Sequence, residues 1–582
     1  MLRLPLVLSC CAALAAQQTA SQTSAAPAAN RFVPADSCLV VRCAAPAQWQ
    51  SRFAKTQVAK LLQSATLAPL LAQLRGGIDE AMAEVRQSGA FDADLLEALR
   101  DDYQGELIAS VQIDWDDLPT ALMEDRPPAM SAVIALTPAE GIDLAKLATA
   151  IGEAVEQNTE GRRELRDATV GDLMLRVTAD DEKMAASVPA LVDGHLVMVF
   201  TTDEFETAAA RLLGTDDRYE GDLGSAPLFV EGRVAGAMST VMDLVADGAG
   251  AAPVDVMAVL EGMGIDALDR MKMSIDADQR HVVTEWEVSL RSDAAGLMQA
   301  FFTEHRPQLL RLVPPGTDLF STMVFDVGGL WRGVRDIWQE LGDEVPLAYD
   351  QAMQMFAEAT KVRLDDDLIA HLGREILTID DLDPEADAME DEDMAGSMIA
   401  GSCWAIALRD GKAFAQSVET LLRSRGLHAA RKSEDYGGTK VYRLVVAGLV
   451  EIEYAITDDL LLLVIGEREG ARRNLRAVLD ARAAGATEPA LPQAVQAHLQ
   501  ALPPGFSSLG VTPIGQVLQG IGQVVETSLA MEGFSLEDFE DGELDWVPLL
   551  TAIGADIQRL GIDHMVGASY ATRRSVRSVV RW

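Results

Sequence analysis

VPPGTDLFSTMVFDVGGLWRGV, residues Val313–Val334, reads as a Pro-Gly turn, then a β-strand, then the start of a helix. Pro and Gly supply the backbone angles a tight turn needs. The same phrase begins at Val33 as VPADSCLVVRCAAPAQWQSRF. Fainter copies begin at Phe229, FVEGRVAGAMSTVMDLVADGA, and at Leu502, LPPGFSSLGVTPIGQVLQGIG. A phrase that recurs along a chain points to internal duplication, and that reading precedes any other.

Further correspondences follow in the same order. Asp94-Leu95-Leu96 aligns with Asp367-Leu368-Ile369, and Glu106-Leu107-Ile108 with Glu375-Ile376-Leu377. Ile134-Ala135-Leu136 then aligns with Ile406-Ala407-Leu408, each followed by a helical pattern. One of those helices puts Leu144, Leu147, Ile151 and Val155 on one face. The other aligns Phe414, Val418, Leu421 and Leu422, with Gly426 as its stop. DLMLRV, DGHLVMVF and TDEFETAAARLLG answer to KVYRLVV, DDLLLLVI and EREGARRNLRAVL. Gly264-Ile265-Asp266 matches Gly561-Ile562-Asp563 ahead of closing strands. In the first of these, Val282, Thr284, Trp286, Val288 and Leu290 alternate with polar residues, as in a half-buried antiparallel strand. Its counterpart is RRSVRSVVRW at the end. Trp331 and Trp338, seven apart on a predicted helix, are expected to pack the core beside the opening strand. Consecutive strands with hairpin-length connections favour antiparallel pairing. The expected fold is therefore α+β, with two tandem pseudo-repeats at 33–292 and 308–582, each a largely antiparallel sheet with flanking helices.

The chain has 582 residues, 49% hydrophobic and 24% charged, which fits folded domains with sizeable cores. Residues 1–16, MLRLPLVLSCCAALAA, read as a secretory signal peptide. Arg3 supplies the positive start, and Ala13-Leu14-Ala15 is a small-x-small site, with cleavage near Ala15 or Ala16. The location implied is extracytoplasmic, in the periplasm or beyond. Cys10 invites a lipid anchor, but Leu8 is too bulky for a lipobox, so none is expected. Residues 17–31 read as a flexible leader. No later segment is apolar and long enough to span a bilayer. A net charge of −42 repels nucleic acid and anionic lipid, so a general nucleic-acid-binding role is excluded. Beyond the signal, Cys38, Cys43 and Cys403 are odd in number and read as small buried hydrophobes.

The P-A-D-S phrase of Pro34 to Ser37, the P-P-G-T phrase of Pro314 to Thr317, and D-D-L-I-x-x-L-G-R-E from Asp366 to Glu375 together resemble a group of secreted bacterial envelope proteins. That group is catalogued as domains of unknown function. The resemblance implies an extracytoplasmic location and carries over no catalytic residue.

Chemistry-bearing motifs are few. The seven histidines make no H-E-x-x-H, and neither G-x-S-x-G nor a phosphate-binding G-x-x-x-x-G-K-[ST] occurs. Gly520-Ile521-Gly522 lacks the third glycine of a dinucleotide loop. No catalytic or cofactor-binding residue is assigned. The acidic run IDDLDPEADAMEDEDM places Asp381, Asp383, Glu385, Asp387 and Glu392 at the oxygen-ligand positions of a twelve-residue calcium loop. Ala386 where Gly is wanted, Pro384 and strand-like flanks favour a solvated inter-strand loop instead. Aromatic content is 5%, too sparse for a carbohydrate platform. The expected role is non-enzymatic: binding of a ligand or envelope partner, or a structural part of the envelope. One alternative is a carrier of an apolar ligand in a sheet–helix pocket. The other is a hydrolase with dispersed carboxylates in a cleft between the repeats.

Overall fold

A computed structural model describes residues 29–582 apart from 74–75, 77–82, 84–104, 125, 127, 139–142, 160–163, 180–184, 215–217, 220–222, 224, 249–255, 279, 341–343, 381–401, 447–449, 467–468 and 520–545. The signal-like segment, most of the leader, the Asp381–Glu392 run and Gly520-Ile521-Gly522 thus lie outside the described residues. Contacts divide the chain into two compact units. The first comprises residues up to 244 with 269–288, and the second 245–268 with 289–582.

In the first unit the phrase at Val33 forms β1 (Leu39–Cys43). It is followed by β2 (Leu107–Ile113), β3 (Met130–Leu136), β4 (Glu164–Val170), β5 (Leu173–Ala179), β6 (Ala185–Ser187), β7 (Ala190–Val192) and β8 (His195–Thr201). β9 (Leu228–Arg233), β10 (Leu268–Asp278) and β11 (His281–Leu290) close it. The antiparallel pairings run β4–β5–β6–β8–β3–β2–β1–β9–β10, with β7 also on β8. Period-two side chains let this sheet bury both faces. Val133, Val177 and Val199 pack under the helix Phe205–Leu213, whereas Leu196 meets Leu144 and Leu147 of the helix Leu144–Thr159. Strand β11 departs from the alternation read in sequence. Val282 and Leu290 are buried, but Trp286 between them is 48% exposed.

The second unit opens with β12 (Phe320–Val324), from the phrase at Val313. Then come β13 (Leu372–Asp380), β14 (Ser402–Leu408), β15 (Lys432–Tyr436), β16 (Thr439–Val446), β17 (Val450–Ile456) and β18 (Leu460–Ile465). β19 (Ser508–Thr512), β20 (Met565–Ala571) and β21 (Ser575–Arg581) complete it. Pairing is again antiparallel, in the order β15–β16–β17–β18–β14–β13–β12–β19–β20–β21. β12 thus lies between β13 and the strand of the Leu502 phrase, as β1 lies between β2 and the strand of the Phe229 phrase. The fold is α+β with largely antiparallel sheet.

Two helices sandwich the β16–β17–β18–β14 part of this sheet. Gly411–Ser424 begins at Asp410, whose carboxylate accepts the Ala413 N–H at 3.0 Å, and stops before Gly426 at φ +70°. Leu422 of this helix packs on Leu444, Tyr454 and Ile456. Glu469–Ala483 buries Leu475 and Val478 on the opposite side. Trp331 and Trp338 do not pack beside the opening strand. On the helix Val327–Glu340 both rings turn to Tyr349 of Glu344–Thr360, at centroid distances of 6.5 and 5.1 Å. A half-buried indole N–H needs an acceptor, and Trp331 finds one in Asp365 at 2.6 Å. Among the described residues no helix is long and apolar enough to cross a membrane.

Candidate functional site

In the second unit, a cavity of about 400 Å³ opens between the helix Gly411–Ser424 and the face of β16 and β17 that carries Tyr442 and Tyr454. Strand register creates its wall. Tyr442 and Tyr454 are directly paired across β16 and β17, so their rings stack at 5.2 Å and 26°. Arg431, in the loop after the helix, lays its guanidinium 4.1 Å from the centre of the Tyr442 ring. It also donates to the Tyr454 hydroxyl at 3.1 Å and to Glu419 at 2.7 Å. Only 11% of the Arg431 side chain is exposed, so these contacts fix it.

Glu419 is fully engaged. It accepts Arg423 at 2.8 Å and faces His428 at 3.0 Å as well as Arg431. Burial alone would raise its carboxyl, but the bonds from Arg423 and Arg431 outweigh burial and hold it below the usual range. Burial pushes the Tyr454 phenol up, against the pull of Arg431. Val418 and Ile456 supply apolar wall, and Lys440 and Arg482 stand at the rim. Arg482 is paired with Asp459 at 2.7 Å. Lys440 is exposed and makes no ion pair among the described residues. Three cations and two carboxylates, Glu419 and Asp458, line the cavity, a positive surplus within a strongly acidic chain. A largely polar lining with two tyrosines, a few aliphatic side chains and a surplus of cations suits a small acid.

On the other face of the same strands, Glu451 and Glu453 are buried against Arg443, Arg472 and Arg476. Burial raises the Glu453 carboxyl even though Arg476 lies 2.9 Å away. Burial likewise raises Glu375 and Asp380. These three line neither cavity. The second cavity, about 510 Å³, belongs to the first unit and is bordered by Asp36, Asp114, Asp116, Asp203, Trp115 and Arg211.

Of the residues singled out in the sequence, Asp381, Asp383, Glu385, Asp387 and Glu392 lie outside the described residues. Among the described ones, no group of three or more His, Cys, Asp or Glu is placed to hold a metal ion. His371 ends a 3₁₀ turn, Ile369–His371, leading into β13. Cys38, Cys43 and Cys403 are free thiols, the first half-buried and the others buried. The cavity residues carry no sequence motif. Tyr442 and Tyr454 are twelve apart, and only the hairpin register joins them.

No protein-family model matches the chain, and no curated protein matches it. Two solved structures, described as crystal forms III and IV of TP0453, are similar to part of it. Each aligns at 7% identity and TM-score 0.20, over 46% of this chain and 81% of that one, a likeness too slight to bear on function.

Proposed function

We propose that the chain is an exported, non-enzymatic binding protein, and that the second unit holds a small organic acid in its tyrosine-lined cavity. The observation that carries the reading is Arg431, held between the Tyr442 ring, the Tyr454 hydroxyl and Glu419, beside the unpaired Lys440 at the mouth. A volume near 400 Å³ falls within the range of small-molecule sites. The charged mouth argues against a wholly apolar cargo. Glu419, saturated by cations, is a poor acid or base, which argues against hydrolysis in this cavity. Export rests on the signal-like segment 1–16 and on the resemblance to secreted envelope proteins. The matching strand successions of the two units, together with the paired phrases, support a tandem duplication.

Anilinonaphthalene sulfonate, an apolar ring system with one anionic group, is a suitable probe. Its fluorescence should rise saturably with the protein. Lys440→Glu, at an exposed position with no ion-pair partner among the described residues, should weaken binding about tenfold, the equivalent of ~1.4 kcal/mol, with an unchanged melting temperature. Equal affinity for both proteins would place the probe elsewhere and defeat the assignment.

A further inference from the structure

We propose that Arg332, Arg374 and Arg409 form a second anion site on the second unit, one that takes a phosphoryl group, independently of the cavity reading. Arg332 comes from the helix Val327–Glu340, Arg374 from β13, and Arg409 directly follows β14. All three approach one carboxylate, Asp326, at 3.9, 3.3 and 3.6 Å. Asp326 is only 12% exposed, whereas the arginines are 54%, 57% and 45% exposed. The carboxylate therefore lies beneath, and the guanidiniums face solvent.

The charge is unbalanced, with three cations over one anion, and that anion is partly spent. Asp326 Oδ1 accepts the Gly329 N–H at 3.0 Å. Among the described residues none of the three guanidiniums donates a hydrogen bond. Each guanidinium carries five N–H donors in a planar fork that matches phosphate oxygens. Converging forks with unused donors and a surplus of two positive charges fit a dianionic tetrahedral group better than a single carboxylate.

The cup is not demanded by the fold. Glu375 and Leu408 align with Glu106 and Leu136, so the positions of Arg374 and Arg409 fall on Gly105 and Thr137 in the first unit. The strands pair there without arginine. The phosphoryl group could be free or borne by a lipid headgroup, and the two sources are separable.

The test uses the full chain. Inorganic phosphate is titrated calorimetrically at low salt, and co-sedimentation is measured with phosphatidylcholine vesicles with and without phosphatidic acid. Saturable phosphate binding, or sedimentation only with phosphatidic acid, is expected, and whichever occurs identifies the source. Arg374→Gln/Arg409→Gln should weaken that binding at least about tenfold and leave the melting temperature unchanged. Asp326→Asn, which keeps an oxygen for Gly329, should tighten it severalfold. No binding to either probe would overturn the site. So would binding that the double variant leaves intact, or that Asp326→Asn weakens.

Discussion

Glu106, just ahead of β2, and Glu375, on β13, hold aligned places yet live in different electrostatic surroundings. Glu106 pairs with Arg42 of β1. The cross-strand registers, Arg42 to Ile108 and Thr322 to Leu377, put Thr322 where Arg42 stands in the first unit. Glu375 is buried to 4% exposure and, among the described residues, forms no ion pair; it accepts the Leu309 N–H, the Gln308 N–H and, at 3.4 Å, the Thr322 hydroxyl, with His305 as the nearest cationic influence. Burial raises its carboxyl above the ordinary 4.5 despite those bonds. The folded state then binds more protons than the unfolded state between the two values. Stability must fall as pH rises through that window, and the favourable contribution is complete only on its acid side. Glu375→Gln keeps an acceptor for Leu309 and removes the titration. Melting temperature against pH should decline more steeply above pH 4.5 for the wild type than for the variant. Parallel curves would contradict this account of Glu375. The sequence showed both glutamates in one aligned phrase; it did not show which residue stands across from each, Arg42 or Thr322, because that pairing crosses to another strand.

At the scale of elements, β21 is a seven-residue strand. It pairs with β20 from Val566–Arg581 to Ala571–Val576, and buries Val579 to 5% exposure. Deleting Ser575–Trp582 removes that apolar contact and uncovers the hydrogen-bonding edge of β20. A domain of this size loses about 2–4 °C per kcal/mol, so a fall of more than about 5 °C is expected by calorimetry. An unchanged melting curve would show that the strand adds nothing to the sheet. β21 was legible as the counterpart of β11 after the paired Gly-Ile-Asp phrases, and β1, β3, β12 and β14 were legible from the repeated phrases. β4, β15 and β17 were not. β15, KSEDY, is polar throughout and lies at the sheet edge, where charge costs nothing. β17, VEIEYAI, carries two buried glutamates whose charge is met by arginines from β16 and the helix Glu469–Ala483. An acidic strand of that kind breaks the hydrophobic pattern by which strands are recognised. Since Tyr454 sits on β17, missing that strand hid the cavity as well.

Across the whole molecule, 90 acidic residues oppose 48 basic ones. Against that background two local surpluses of positive charge stand out, at the mouth of the tyrosine cavity and over Asp326. Surplus charge in a concave, partly apolar site focuses the local potential and can hold an anion that the protein as a whole repels. On the proposed reading, Lys440 at the tyrosine cavity is the charge that an anionic ligand would meet. The most direct test of the cavity assignment is native mass spectrometry of the wild type and Lys440→Glu, each purified from its own exported fraction, before and after organic extraction. Extra mass on the wild type that extraction removes, and that Lys440→Glu does not carry, is the predicted result. Bare polypeptide mass for both proteins, or the same adduct on both, would contradict it.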